Sequence, residues 1–384
     1  MRWLLLTLSL LAALVSLLNL VRAPDSMWAW KLAILAGEFG HWLVVLPLGL
    51  AVLAGGGPAG PARIVTLALC AGAAAGFLRP VFTARRLAED LPAGLHAAFG
   101  GAAPPLTLDF GRLYFGRAVP AAGSRTEVFA RPGGQELRLD FYRPGAAKDG
   151  PGRPRPCVIV IHGGGWDGGD RTQLAGWNDR LVAQGYAVAA ISYRLAPQAV
   201  WPAQHDDVLA AIAWLKVNAA RLELDPARLV LFGRSAGGQL ATAVGYGADD
   251  PAIRGVIALY APHDMPFAWS VSRADDALNS IKLFQQYFGG PPDTPQRRAL
   301  YAAASGQLLA HAGSPPTLLI HGVPDTLAWH RHSERLAARL EALHVPHYYL
   351  ALPWATHGFD FNPDGPGGQL ADCAIARFLA AVTR

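Results

Sequence analysis

The chain has 384 residues, with 33 Lys and Arg against 28 Asp and Glu, so its formal net charge is +5. Most of that excess lies in the first 85 residues and the remainder is nearly neutral, which excludes the basic surface of a nucleic-acid-binding domain. The three cysteines lie far apart without metal-ligand spacing, so neither a zinc site nor a disulfide framework is indicated.

Three apolar segments open the chain, at residues 3–21, 32–54 and 64–78. The first carries no charge and is long enough to cross the roughly 30 Å hydrocarbon core of a bilayer. A cleaved signal peptide is the alternative interpretation, but its apolar region normally spans only about 7–15 residues. We therefore predict that residues 1–85 form a membrane anchor of about three transmembrane helices.

The charged residues in and around these segments allow two further predictions, one on their pairing and one on the orientation of the chain in the membrane. Glu38 and His41 lie three positions apart in the second segment, so we expect them to satisfy each other inside the helical bundle, with a proton-handling site as the alternative. Five basic residues fall on the side of the anchor that also holds the C-terminal part: Arg22, Lys31, Arg79, Arg85 and Arg86. By the positive-inside bias this side is cytoplasmic. We expect an integral membrane protein whose large domain faces the cytoplasm.

The pattern after the anchor changes twice. Residues 86–134 are rich in Gly, Pro and Ala and are predicted to be a connecting region, whereas residues 135–384 alternate strand and helix. Strand patterns occur at 136–142, 157–163, 186–193, 227–233, 256–262, 316–322 and 347–353. Strands separated by helices predict a mostly parallel sheet covered on both faces. Residues 263–315 leave this alternation and are predicted to form a cap insertion.

Ser235 lies between Gly233 and Gly237 in a G-x-S-x-G pattern, at the turn from a predicted strand to a predicted helix. Such a turn crowds strand and helix together, so the positions two before and two after the serine must lack side chains. The pattern alone is weak in a chain with 42 glycines. Its position in the alternation favours a nucleophile elbow over an ordinary serine.

A nucleophilic serine needs a base, and the base needs an acid that orients it. His357 follows the last predicted strand and Asp325 follows the preceding one, so both belong to the same sheet edge as Ser235. We predict a Ser235, Asp325 and His357 triad. Asp264, after an earlier strand, is the alternative acid.

The sequence HGGGW follows a buried strand about 70 residues before Ser235. Glycine amides are unshielded by side chains and can approach a developing oxyanion. We predict that the amides of Gly163 and Gly164, together with that of Ala236, form the oxyanion hole. His162 is expected to shape this loop rather than to act as a base.

Six motifs occur in a fixed order: HGGGW, SYRLAP, WPAQHDDV, GRSAGG, HGVPD and HGF. Together they resemble the hormone-sensitive-lipase-type and acetyl-esterase branch of the α/β-hydrolases, over residues 135–384. The resemblance implies an α/β-hydrolase fold with an eight-stranded, mostly parallel sheet, and hydrolysis of carboxylic esters without metal or cofactor. Arg234 departs from the family, which commonly has an acidic or small residue before the serine.

Two other functions stay open at this point. An amidase or formamidase, such as an aryl-formamide hydrolase, would use the same triad. A membrane-tethered binding protein on a hydrolase scaffold would have no need of the nucleophile or the base. The expected partners are a small-molecule or lipid ester substrate and the membrane, and no oligomeric state is indicated.

Overall fold

The strands after residue 124 form one eight-stranded sheet in a computed structural model. The structure describes residues 1–102, 104–145 and 154–384. The strands are β1 (Arg125–Ala130), β2 (Leu137–Tyr142), β3 (Arg155–Ile161), β4 (Ala187–Ile191), β5 (Leu224–Arg234), β6 (Ile253–Leu259), β7 (Thr317–Gly322) and β8 (His347–Leu352). Their order is β1-β2-β4-β3-β5-β6-β7-β8. β1 pairs antiparallel with β2 and β2 antiparallel with β4, while all pairs from β4 to β8 are parallel. The predicted mostly parallel sheet of eight strands is confirmed.

Helices cover both faces of this sheet. In the N-terminal part they are α1 (Arg2–Leu17), α2 (Met27–Glu38), α3 (Gly40–Leu43), α4 (Val45–Gly55), α5 (Pro61–Phe99) and α6 (Phe110–Phe115). Between the strands lie α7 (Ala175–Ala183), α8 (Ala203–Val217), α9 (Ala219–Leu222), α10 (Ala236–Gly247), α11 (Met265–Ser270), α12 (Ser280–Phe288), α13 (Pro295–Ala303), α14 (Gly306–Leu309), α15 (Arg331–Ala342) and, after β8, α16 (Pro366–Val382). Helices α11–α14 fill the segment between β6 and β7 that the sequence assigns to a cap.

The two faces of β3 show how the core is divided. Ile159 and Ile161 belong to a buried cluster that includes side chains of α8, α10 and α15, whereas Val158 and Val160 belong to a second cluster that includes side chains of α5, α7 and α16. Successive residues of a strand point to opposite faces, so a strand buried on both sides must be apolar throughout. This is why the continuous apolar runs of the sequence predicted these strands.

The sequence pattern missed strand β1, which lies inside the predicted connecting region. β1 is an edge strand, paired on one side only, and five of its six residues are exposed or half-buried. Its pairing with β2 also has a register irregularity near Val128. A strand of that kind does not need an apolar run. Its sequence therefore carries little of the signal that identified the other strands.

The N-terminal helices differ from the three predicted spans. By length and composition α5 could cross a membrane, and α2 together with α3–α4, bent by 81°, could form a second span. α1 is apolar but has only 16 residues. The same properties also occur in signal sequences and in core helices of soluble proteins. With 39 residues, α5 is about 58 Å long, so it continues past residue 85 and packs its second half on α16.

Glu38 and His41 do not satisfy each other as expected. The Glu38 carboxylate accepts hydrogen bonds from Gly367 N at 2.9 Å and Trp354 Nε1 at 3.2 Å. His41 Nε2 lies 2.7 Å from the carbonyl oxygen of Leu113. Both side chains are buried, and both connect the N-terminal helices to the rest of the molecule instead of to each other.

Candidate active site

Ser235 occupies the turn between β5 and α10, with φ 52° and ψ −120°. This left-handed conformation is costly for a residue with a side chain and is typical of strained functional sites. The turn is also crowded: a Cβ at Gly233 would lie 2.0 Å from the Gly237 carbonyl oxygen, and one at Gly237 would lie 2.2 Å from that of Ile161. Both flanking positions therefore require glycine, as the G-x-S-x-G pattern predicted.

A line of hydrogen bonds joins the three residues of the predicted triad. His357 Nε2 lies 2.9 Å from Ser235 Oγ, and His357 Nδ1 lies 2.8 Å from Asp325 Oδ2. Asp325 is fully buried, and its other oxygen accepts from Leu327 N at 2.8 Å and Ala328 N at 2.9 Å. A carboxylate can only accept, so Nδ1 of His357 carries the proton and Nε2 is free to accept from the serine hydroxyl.

The surroundings of Asp325 keep its carboxylate ionised. Burial by itself would raise the pKa of Asp325, but the charge of His357 and hydrogen bonds from His321 and His357 outweigh it and hold the pKa well below its ordinary value. His321 Nε2 lies 3.2 Å from Asp325 Oδ2. A permanently charged carboxylate at this position stabilises an imidazolium on His357.

The glycine loop after β3 reaches the same point. An added Cβ at Gly163 would lie 3.2 Å from the Ser235 Cβ, so this loop passes directly beside the serine. The amide of Gly163, however, donates to Gln173 Oε1 at 2.8 Å. This differs from the prediction, because an amide that is already paired is not available to an oxyanion. Gly164 and Ala236 line the cavity beside Ser235, and the amide of Ala236 is in the first turn of α10, where a helix leaves its N–H groups unpaired.

The remaining candidates have other partners. Asp264, the alternative acid, accepts from Phe267 N at 3.0 Å and forms an ion pair with Arg335 at 2.7 Å. His162 stacks on Tyr193 with ring centroids 4.2 Å apart, and the Tyr193 hydroxyl donates to the His162 carbonyl oxygen. These contacts fit a loop-shaping role for His162. Within the described residues, no group of three or more His, Cys, Asp or Glu side chains could hold a metal ion.

Arg234, the departure from the family pattern, points away from solvent into a buried pair. Its side chain is 2% exposed and its Nε lies 2.5 Å from Asp360 Oδ2. Asp360 also accepts from the Tyr260 hydroxyl, and the Tyr260 ring lies 4.5 Å from that of His357. Sequence reasoning missed Tyr260 and Asp360, because neither belongs to a motif. The charge of Arg234 is thus neutralised inside the protein.

A cavity of about 780 Å³ opens above Ser235 and His357. The segment between β6 and β7 contributes apolar side chains to it, among them Val271, Leu283 and Phe284. A second wall comes from residues before the sheet: Arg22, Asp25, Met27, Trp30 and Ile34. Sequence reasoning missed this second wall, because these residues lie in the segment that was predicted to serve only as an anchor. The volume is that of a site for a small organic molecule.

Comparisons with known proteins agree with this architecture. The BD-FAE family model matches residues 139–340, more than half of the chain. "Esterase LipQ" of Mycobacterium tuberculosis is 30% identical over 68% of this chain, which spans 63% of that protein's length. "Probable carboxylic ester hydrolase LipM" of the same organism is 26% identical, over 93% of this chain and 87% of that protein.

Among solved structures, a bacterial heroin esterase superposes with a TM-score of 0.61 at 22% identity, covering 71% of this chain and 89% of that one. A likeness at this identity shows the fold. Because the family model matches more than half of the chain, the chain belongs to the BD-FAE family. The structural likeness shows that it has the fold of the α/β-hydrolase carboxylesterases.

Proposed function

We propose that this protein is a serine hydrolase that cleaves carboxylic esters. The observation that carries the proposal is the continuous line from Ser235 Oγ through both nitrogens of His357 to Asp325, with distances of 2.9 and 2.8 Å. The names of LipQ and LipM attach ester hydrolysis to relatives of this chain, which favours esters over formamides as substrates.

The mechanism follows from these groups. Ser235 Oγ attacks the ester carbonyl carbon while His357 Nε2 takes the hydroxyl proton, and the Asp325 carboxylate stabilises the resulting imidazolium. We assign the tetrahedral oxyanion to the amides of Gly164 and Ala236. The imidazolium then protonates the leaving alkoxide, the alcohol departs, and water hydrolyses the acyl-enzyme by the same route in reverse.

We further propose that the protein is attached to a membrane through its N-terminal helices. Large apolar side chains are exposed along them, including Trp3, Trp28, Val45, Val52 and Ile64, and water does not favour such a surface. Arg79, Arg85 and Arg86 lie where α5 enters the catalytic part, which by the positive-inside bias puts that part in the cytoplasm. Retention of the full chain in the membrane fraction after alkaline carbonate extraction tests this attachment; release into the soluble fraction contradicts it.

The domain organisation is proposed on the same grounds. Residues 1–85 form the anchor, 86–134 the connection and 135–384 the catalytic domain, with its cap at about 263–315. α5 belongs to the anchor and to the connection at once, because it runs through residue 85 without a break. Lipophilic esters that partition into the bilayer fit a site next to such an anchor.

The test of the catalytic proposal is hydrolysis of p-nitrophenyl butyrate by the wild type and by Ser235→Ala. We expect the variant to lose at least about 10³-fold in kcat, because the nucleophile is absent. Formanilide in a parallel assay separates an amidase from an esterase. Unchanged ester turnover in Ser235→Ala would remove Ser235 from the mechanism.

A further inference from the structure

The N-terminal segment does more than lie beside the catalytic domain. Its residues from Arg22 to Ile34 form one wall of the cavity that holds Ser235 and His357. This segment precedes the serine by about 200 positions in the sequence. An element that serves only as an anchor has no reason to line the cavity of the nucleophile.

Trp30 of α2 contacts the loop that carries the catalytic base. Its indole Nε1 donates to the carbonyl oxygen of His357 at 2.8 Å. Its ring also packs on the next residue of that loop, since a Cβ added at Gly358 would lie 3.7 Å from Trp30 Cζ2 and from Ile34 Cδ1. The backbone that sets the position of the imidazole is therefore held directly from α2.

The same segment contacts the loop that carries the acid. Arg22 Nη2 donates to the Thr326 carbonyl oxygen at 2.9 Å, and the Thr326 hydroxyl lies 3.4 Å from the carbonyl oxygen of Ala23. Thr326 directly follows Asp325. Residues 22–30 thus bridge the two loops whose side chains must stay within hydrogen-bond distance of each other.

One face of α2 packs on the loop of His357, and another face is exposed at the surface of the protein. Trp30 is half-buried against the His357 loop, while Trp28, Leu32 and Leu35 are 77%, 41% and 44% exposed. A helix in the interface of a membrane buries such an apolar face in the lipid. Contact of this face with lipid would hold α2 in position, and α2 in turn positions the backbone of His357.

We propose that residues 22–34 are a part of the active site in which Trp30 is a positioning residue for His357. This inference rests on the proposed ester hydrolysis. Small displacements of a catalytic group cost rate rather than binding, so the loss of the Trp30 hydrogen bond should reduce kcat and leave KM nearly unchanged. The apolar side chains Met27, Trp30 and Ile34 would at the same time contact the acyl or alkyl chain of the ester.

The experiment compares Trp30→Phe with Trp28→Phe in the full chain, in detergent micelles, with p-nitrophenyl butyrate as substrate. Phenylalanine keeps the aromatic wall and removes the indole N–H. We expect Trp30→Phe to lower kcat about fivefold, the equivalent of one hydrogen bond, with KM changed less than about twofold and Trp28→Phe unaffected. Active sites are counted by covalent labelling with a fluorophosphonate, so that misfolded enzyme does not enter kcat.

If Trp30→Phe has the same kcat per labelled site as the wild type, the inference is overturned and the proposed function stays intact. Absence of any labelling of Ser235 in the wild type would instead overturn the proposed function. If Trp30→Phe fails to fold, Arg22→Gln replaces it, since that side chain is 49% exposed and tolerates substitution. We then expect kcat to fall about threefold through the lost bond to Thr326, and an unchanged kcat overturns the inference.

Discussion

Asp325 and Asp264 are two buried carboxylates that follow neighbouring strands of the sheet, β7 and β6. Asp325 is joined to His357 and to two backbone amides, whereas the two oxygens of Asp264 accept from Phe267 N and pair with Arg335. The sequence predicted Asp325 as the acid and kept Asp264 as the alternative, because each lies at the carboxyl end of a strand. Contacts of the side chains distinguish them.

Replacement of each aspartate by asparagine tests which one serves the base. We expect Asp325→Asn to lower kcat for p-nitrophenyl butyrate by about 10³–10⁴-fold, because an amide cannot stabilise the imidazolium and favours the wrong tautomer. Asp264→Asn is the matched control and should keep kcat within about tenfold of the wild type. A larger loss of kcat in Asp264→Asn than in Asp325→Asn would contradict the assignment of Asp325 as the acid.

At the scale of elements, α2 and α16 meet end to end through one side chain. Glu38, the last residue of α2, accepts from Gly367 N in the first turn of α16 and from Trp354 Nε1. A carboxylate at a helix N-terminus pairs with amides that the helix cannot satisfy itself. This contact connects the N-terminal helices to α16, which packs on the sheet.

We predict that Glu38→Leu destabilises the full chain by about 2 kcal/mol or more, since it leaves two buried N–H groups without an acceptor. Thermal unfolding in detergent micelles measures the effect as a lower Tm. Glu89→Leu, an exposed position on α5, is the control and should leave Tm nearly unchanged. Equal Tm values for the wild type and Glu38→Leu would show that this contact contributes nothing to stability.

The sequence predicted the structure best where the local pattern of apolar residues determines the secondary structure. The strands β3, β5, β6 and β7 contain continuous apolar runs because both of their faces are buried. The loops after β3, β5, β7 and β8 bring Gly164, Ser235, Asp325 and His357 to one edge. The sequence did not predict that Trp30 contacts His357, because these residues are 327 positions apart and no periodicity encodes such a contact. It also missed the bond from Gly163 N to Gln173, which depends on where one loop side chain lies.

For the molecule as a whole, several buried histidines make stability depend on pH. Burial lowers the pKa of His162 to about 4, and burial with the charges of His321 and Arg335 lowers that of His332 to about 3. The unfolded chain binds protons at these histidines below about pH 6.5, whereas the folded protein does not until near pH 4. Stability is therefore full above pH 6.5 and falls as the pH decreases from about 6.5 to 4.

Each such histidine should cost about 1.4 kcal/mol of unfolding free energy per pH unit in that window. Asp325 changes the stability only at lower pH. Because its pKa is lowered in the folded protein, its contribution to the unfolding free energy is complete above about pH 4 and is lost as the pH falls below that value. Urea unfolding of the full chain between pH 7.5 and 5 should show the decrease. His332→Gln should reduce the slope and the exposed control His344→Gln should not; equal slopes in all three proteins would contradict this assignment.

The central claim is that Ser235 is a nucleophile activated by His357. The most direct measurement is mass spectrometry of the full chain after reaction with a fluorophosphonate. We predict one adduct, on the peptide that contains Ser235, and a labelling rate lowered by at least about 10³-fold in His357→Ala. No adduct at Ser235, or equal labelling rates in the wild type and His357→Ala, would contradict the account and would favour a binding protein on a hydrolase scaffold.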